Sequence, residues 1–314
     1  MNRTRNSTST MRALVVSPAA PGRIGVLNIA APVPAPGEVL VAVRAFSLNR
    51  GEMRALRTTA AGIIPGWDFA GVLMDDIDDQ LKAGSRVAGI VEQGAWAEFA
   101  AVRKDWVAPI PDGVTFAQAA ALPTAGLTAL RTLRLGGTGI GDRVLVTGAG
   151  GGVGQFAVQL AVLAGADVTG LVARASDVAR IGTLGAHHVV TGLEQRRQQF
   201  DVIIESVGGE VLGRTLSMLD PRGNLVTFGN TSDMPTTFNV RDVYNGALVK
   251  ILGFELFFDP IPFGRDLALL LGMMACGELN PHVVDVLPWT DMAYALQRLG
   301  DRAVGGKLIL TVKE

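Results

Sequence analysis

The chain has 314 residues, 48% of them hydrophobic, and a formal net charge of -1. The length suits two cores, since a single core stops growing near roughly 250 to 300 residues, and near-neutrality with scattered Lys and Arg excludes the concentrated positive field of a nucleic-acid surface. The single cysteine, Cys276, leaves neither a disulfide framework nor a four-ligand thiolate metal site, so a cytoplasmic location is the expectation.

Residues Met1 to Thr10 are polar and lead into no apolar h-region, and they read as a disordered tail rather than a secretory signal. From Met11 to about Leu122, proline and glycine separate short β-rich runs: Ala13 to Ser17, Val39 to Phe46, Ala70 to Leu73, Arg86 to Ile90 and Ala95 to Val102. This pattern predicts a small, irregular β-barrel. Thr115 and Gln118 form a capping box that opens a helix over Phe116 to Leu122, which Pro123 ends or kinks. A second helix, Gly126 to Leu135, stops at Gly136 and Gly137. The pattern then becomes α/β. Arg143 to Thr147 is a buried strand, Gly148 to Gly154 a glycine-rich turn, and Gln155 to Ala164 an apolar helix. Strands at Ala166 to Ala173, Ala186 to Thr191, Phe200 to Ser206, Asn224 to Asn230 and Val249 to Phe257, mostly with helices between them, predict a doubly wound parallel sheet. Helices at Asp266 to Cys276 and Asp291 to Leu299 and a strand at Lys307 to Val312 close the chain. The longest apolar stretch, Leu267 to Cys276, is far short of the roughly 18 residues of a membrane span.

The run from Val144 to Gly154 places glycines at a strand-to-helix turn, where backbone N–H groups and the helix N-terminus can approach a pyrophosphate. It is not a literal G-x-G-x-x-G: in that register the residues are Ala149, Gly151 and Gly154. The strand before it and the helix after it strengthen the reading; the alternative is a loop that merely packs helix against sheet.

Gly66-Trp-Asp-Phe-Ala-Gly71, Ala119-Ala-Ala-Leu-Pro-Thr-Ala-Gly-Leu-Thr-Ala129 and Val146-Thr-Gly-Ala-Gly-Gly-Gly-Val-Gly154 resemble, in order, the quinone oxidoreductase and zeta-crystallin branch of the medium-chain dehydrogenases and reductases. The resemblance runs from about Met11 to Val312. It implies a GroES-like substrate domain built from 11–125 and 265–314, a Rossmann dinucleotide-binding domain at 126–264, and a cofactor in the cleft between the domains.

Zinc-dependent relatives bind their catalytic metal through cysteines and a histidine in this first part of the chain. Here the matching positions carry Asn49 and Trp67, no cysteine lies between Phe116 and Thr128, and the domain up to Pro123 has neither His nor Cys. Catalytic zinc needs about three N, S or O ligands, so no metal is expected. His187, His188 and His282 read as surface or turn histidines.

Without a Lewis acid, hydride donation to an activated acceptor, a quinone or enone, is favoured over alcohol oxidation. Asn49 is the candidate catalytic residue and, by the resemblance, a contact at the nicotinamide and ribose end of the cofactor; a plain turn asparagine is the alternative. Arg50, Glu52 and Arg54 either line the cleft or are exposed helix charges. Asp68 is expected to be a structural carboxylate and Trp67 a core or pocket-wall residue. The resemblance also implies cofactor contacts at Thr128, Gly151, Gly152, Val153, Gly154, Ser206, Phe228, Gly229, Asn230 and Lys307; Thr128 could instead merely pack. Asp201 reads as structural.

NADPH is the expected cofactor. NAD-binding sites place an acidic residue about 20 residues beyond the glycine turn; here that position is Val172, followed by Arg174 and Ser176, which can hold a 2′-phosphate unless Arg174 is only a solvated loop arginine. The competing functions are a 2-enoyl-thioester reductase and a non-catalytic NADPH-binding protein. Tyr244 and Tyr294, the two tyrosines, both lie outside the first domain's N-terminal part, which leaves solvent as the proton source. The apolar strand at Val249 to Phe257 would present an open edge, and a homodimer is expected.

Overall fold

A computed structural model of the chain describes residues 10–193, 199–244, 248–301 and 304–312. The expected tail at Met1 to Ser9 lies outside them, while Thr10 already belongs to the first strand. The chain divides into two compact units, one of Met1–Thr124, Ile261–Glu278 and Val283–Glu314, the other of Ala125–Pro260 and Leu279–His282. Two glutamines explain why the short second piece joins the second unit. Gln159 donates to the Asn280 carbonyl at 3.0 Å and accepts its N–H at 2.8 Å, and Gln155 accepts the His282 N–H at 2.8 Å.

The first unit holds strands β1 (Thr10–Val16), β2 (Ile24–Ala30), β3 (Glu38–Ser47), β4 (Asp68–Leu73), β5 (Arg86–Ile90), β6 (Phe99–Arg103) and β7 (Val107–Pro109), with helices α1 (Arg50–Ala55) and α2 (Phe116–Ala120). The second holds β8 (Arg143–Val146), β9 (Asp167–Leu171), β10 (His188–Val190), β11 (Phe200–Glu205), β12 (Leu219–Thr227) and β13 (Lys250–Gly253). Its helices are α3 (Pro123–Gly136), which begins at the unit boundary, α4 (Gly152–Leu163), α5 (Val178–Thr183), α6 (Gly209–Leu216) and α7 (Arg241–Tyr244). Helices α8 (Gly264–Ala275) and α9 (Met292–Gly300) and strands β14 (Val283–Pro288) and β15 (Lys307–Thr311) return to the first unit.

In the first unit the sheet runs β14-β15-β3-β4-β5-β7, with β6 also paired to β3 and β1-β2 forming a separate hairpin. The long strand β3 is buried along nearly its whole length because it has partners on both edges. Around it Phe46, Phe69 and Trp96 are fully buried, each stabilising the fold by about 1.5 to 3 kcal/mol. Gly66 must be glycine: its φ is +106°, and a Cβ there would lie 2.2 Å from the Trp96 ring. Strands β2 and β14 were not expected from the sequence. Both are half-exposed edges, and β14 sits between prolines that read as turn residues.

The second unit is a parallel sheet ordered β10-β9-β8-β11-β12-β13. Counted within the unit this is 3-2-1-4-5-6, the order of the dinucleotide-binding doubly wound fold. Pro123 does not end a helix but opens α3, where a missing N–H is tolerated. The expected strand at Val249 to Phe257 shortens to β13 because the Glu255 carboxylate captures the N–H groups of Phe257 (2.9 Å) and Phe258 (3.1 Å) and turns the chain into a 3-10 segment. Among the described residues, no helix is long and apolar enough to cross a membrane.

Candidate active site

In the second unit the residues after β8 form the glycine turn. Gly148 has φ +58°, and a Cβ on Gly154 would stand 2.3 Å from the Gly148 carbonyl oxygen and 2.7 Å from the Ala149 Cα. Only glycine lets α4 start so close to the turn, leaving a cradle into which backbone N–H groups can point. Ala149 stands at the first glycine of the motif, and its methyl has room because it faces Gly170 of β9, where no side chain competes for the space.

The loops after β11 and β12 close on this turn. The Glu205 carboxylate, fully buried, accepts the N–H groups of Val207 (2.7 Å) and Gly208 (3.0 Å). Burial pushes it above the usual carboxylate range, against those two hydrogen bonds. Ser206 donates its N–H to the Thr147 hydroxyl at 3.0 Å, and Thr231 and Ser232 donate theirs to the carbonyls of Ser206 and Val207. Gly229 and Asn230 pack against Ser206 and Gly208. Thus Gly151, Gly152, Val153, Gly154, Ser206, Phe228, Gly229 and Asn230 gather at the carboxyl ends of β8, β11 and β12, the edge where parallel sheets receive ligands. A pocket of about 250 Å³ opens on the same edge, beyond the ends of β8, β9, β10 and β11, lined by Gly148, Val172, Ala173, Thr191, Leu193 and Val207 among others. Thr191, Leu193 and Glu205 carry no mark in the sequence that sets them apart as residues of this edge. Thr128 is buried on α3, with its carbonyl accepting the Thr132 hydroxyl.

Arg174 is not a simple solvated arginine. Its Nε meets Asp177 Oδ2 at 2.8 Å, and Arg180 meets Asp177 Oδ1 at 2.7 Å while also reaching the Gly150 carbonyl at 3.2 Å. Burial alone would raise Asp177, yet the hydrogen bonds and charges of the two arginines hold it below the usual range. The spacing Asp177, Arg180 is the sequence signal that could have revealed part of this cluster, since residues three apart face one another on a helix; Arg174 reaches Asp177 from the extended residue that precedes the helical turn. Ser176 is exposed on the same turn. Val172 is only 1% exposed, so the exposed residue at the end of β9 is Ala173. His282 is half-buried and held below its usual range by burial and by the charge of Arg180.

The first unit holds a buried polar cluster. Asp68 Oδ2 accepts the Ser47 hydroxyl at 2.5 Å and the Asn49 amide at 2.8 Å, and Oδ1 accepts the N–H of Thr124 at 2.8 Å and its hydroxyl. Lys307 Nζ donates to Asn49 Oδ1 at 2.6 Å and lies 3.5 Å from Asp68 Oδ2. Glu52 is neither cleft-lining nor exposed: it is 2% exposed, and its two oxygens accept the N–H groups of Asn49 and Trp67 at 2.7 Å each. The first of these bonds is one arm of a capping box that starts α1. Arg54 is exposed and Arg50 half-buried. Lys307, expected at the cofactor, is 2% exposed, and its hydrogen bonds go to Asn49, Asp68 and the Leu48 carbonyl. Any service it gives a ligand must therefore pass through a neighbour.

Burial, with the neighbouring Asp68 charge, pushes Glu52 up to about 8, against its two backbone hydrogen bonds and Lys307. The folded state therefore holds this proton more tightly than the unfolded chain, whose carboxyl titrates near 4.5. Its contribution to stability is complete below about 4.5 and is lost as pH rises toward 8. The melting temperature is expected to fall between pH 5 and 8, and Glu52→Gln, which cannot ionise, should flatten that slope. Parallel slopes for the two proteins would refute the assignment.

A zinc ion does not fit this cluster. Among the described residues no group of three His, Cys, Asp or Glu side chains could hold a metal, and the cation beside Asp68 is the chain's own Lys307.

Residues 35–112 match the family model for the alcohol dehydrogenase GroES-like domain, and residues 184–310 match that for zinc-binding dehydrogenases. A chloroplast envelope quinone oxidoreductase homolog from Arabidopsis thaliana is 36% identical over 96% of this chain and 98% of its own length. The spectinabilin polyketide synthase system protein NorB of Streptomyces orinoci is 33% identical over 95% of the chain, which spans only 14% of that protein. Among solved structures, an alcohol dehydrogenase superfamily protein from Novosphingobium aromaticivorans matches with a TM-score of 0.85 at 27% identity, covering 97% of this chain and all of that one. With a GroES-like first domain, a six-stranded Rossmann sheet and a full-length relative at this identity, the chain belongs to the medium-chain dehydrogenase/reductase superfamily of oxidoreductases.

Proposed function

We propose that the protein is an NADPH-dependent reductase that delivers hydride to a quinone or activated enone without a metal. The observation that carries this reading is the cluster around Asp68, where the Asn49 carboxamide stands at a metal-ligand position and the Lys307 ammonium is the cation beside the carboxylate. The full-length quinone oxidoreductase relative supports it. When bound, the nicotinamide supplies the hydride. Gly151, Gly152, Val153 and Gly154 would hold the pyrophosphate, Arg174 and Ser176 the 2′-phosphate, and Ser206, Phe228, Gly229, Asn230 and Thr128 the remainder. Asn49 would donate a hydrogen bond to the acceptor oxygen as negative charge develops on it. Besides the hydride the reduction takes one proton, which solvent would supply, Tyr244 and Tyr294 both being exposed.

A second reading, reduction of a 2-enoyl thioester, is favoured by the similarity to a polyketide synthase protein. Assaying NADPH oxidation against quinones, enones and enoyl-CoA esters separates the two. The proposal expects the highest kcat/KM with a quinone or enone; a higher value for enoyl-CoA esters would favour the second reading, and binding without turnover a non-catalytic role.

We also propose a homodimer formed through β13, the last strand of its sheet, near the exposed apolar side chains Leu248, Ile251 and Phe258. Pairing two such edges about a two-fold axis would cover them. Light scattering at micromolar concentration should give twice the chain mass; a monomer mass would rule the dimer out.

A further inference from the structure

Strands β3 and β15 pair with Ser47 opposite Ile309, and the Leu48 N–H donates to the Leu308 carbonyl at 3.1 Å. The ladder therefore brings Lys307 alongside Asn49 although they are 258 residues apart in the chain. An ammonium can only donate, so the atom it meets at 2.6 Å must be the Asn49 carbonyl oxygen. The amide nitrogen must then face Asp68, to which it donates at 2.8 Å. An asparagine alone can present either end of its amide to a ligand. Held on its oxygen by Lys307 and by the Glu52 N–H of the capping box, and on its nitrogen by Asp68, it has one orientation.

We propose that Lys307 is a positioning residue whose buried ammonium fixes the Asn49 carboxamide, so that Asn49 offers its second N–H to the carbonyl oxygen of the acceptor. One of the two amide hydrogens is used on Asp68 and the other is left for a ligand. The substrate class follows: an acceptor with a carbonyl oxygen conjugated to the reducible centre matches a fixed donor, whereas a group that must itself donate a hydrogen bond does not. This inference rests on the proposed role of Asn49 at the acceptor.

The first test needs no turnover. In ¹⁵N-edited spectra of the intact protein, with the Asn49 side-chain amide assigned by its disappearance in Asn49→Ala, one of the two amide hydrogens should be protected from exchange and the other exposed. Two equally exposed hydrogens would overturn the proposal even if no Lys307 variant folds. In Lys307→Met the protected hydrogen should exchange roughly 10- to 100-fold faster, the loss expected for a charge-assisted hydrogen bond. Lys307→Gln, which keeps a donor, should restore part of the protection. The second test is a kinetic cycle. Lys307→Met should lower kcat/KM for the acceptor by roughly 10- to 100-fold in the native background but by less than about twofold in Asn49→Ala, because coupled residues are not additive. Equal losses in both backgrounds would show that Lys307 acts independently of Asn49, and a change in melting temperature alone would show a purely structural role. A protein that reduces no quinone or enone would remove the functional reading while leaving the amide measurement decisive for the positioning one.

Discussion

Replacing Asp68 by Ala is expected to destabilise the protein by about 3 to 5 kcal/mol, the cost of breaking a buried charge pair by removing one partner. Asp68 is fully buried. Its loss strands the buried Lys307 ammonium and leaves Ser47 and Thr124 without their acceptor. The Asn49 amide also loses the partner of its nitrogen, so acceptor turnover should drop in whatever fraction still folds. Urea unfolding checks the magnitude. A loss below about 1 kcal/mol, the scale of a solvent-exposed pair, would mean that water reaches the cluster and that it orders little.

The second large effect concerns the choice of cofactor. Arg174→Ala is expected to weaken NADPH binding by about 10- to 100-fold, equivalent to about 1.5 to 3 kcal/mol for a charge-assisted contact, while leaving NADH almost unchanged. Asp177 bears on where in that range the value falls. Its carboxylate already holds Arg174 and Arg180, so a 2′-phosphate must compete with it for Arg174, which points to the lower part of the range. Fluorescence titration of both cofactors measures the difference. Equal binding of NADPH and NADH by the unmodified protein, or an equal effect of the substitution on both, would show that this arginine does not read the phosphate. A test at the NAD-type acidic position is better made at Ala173 than at Val172, since a carboxylate at Val172 would be buried beside the sheet.

The parts of the fold legible in the sequence were those with a local signature. Buried parallel strands such as Phe200–Glu205 read as apolar runs, and the turn before α4 read as glycines. Boundaries failed where side chains, not periodicity, decided them. Glu255 ends β13 by capturing two N–H groups, and Pro123 opens the helix whose periodicity points to a start at Gly126. In the site, the glycine turn could be located from its own residues, and the neighbouring Ser206 and Asn230 loops from the family resemblance. The roles of Glu52 and Lys307 could not. Each depends on a pairing set by distant residues, β15 against β3 for Lys307 and the Trp67 backbone for Glu52. A charged residue in a short helix or before a final strand carries no local mark of being buried.

The most direct test of a metal-free reductase is to measure zinc content and NADPH-dependent quinone or enone turnover on the same sample, before and after exhaustive chelation. Zinc far below one atom per chain and turnover unchanged by chelation are expected. About one zinc per chain, removed together with activity and restored with it, would contradict it.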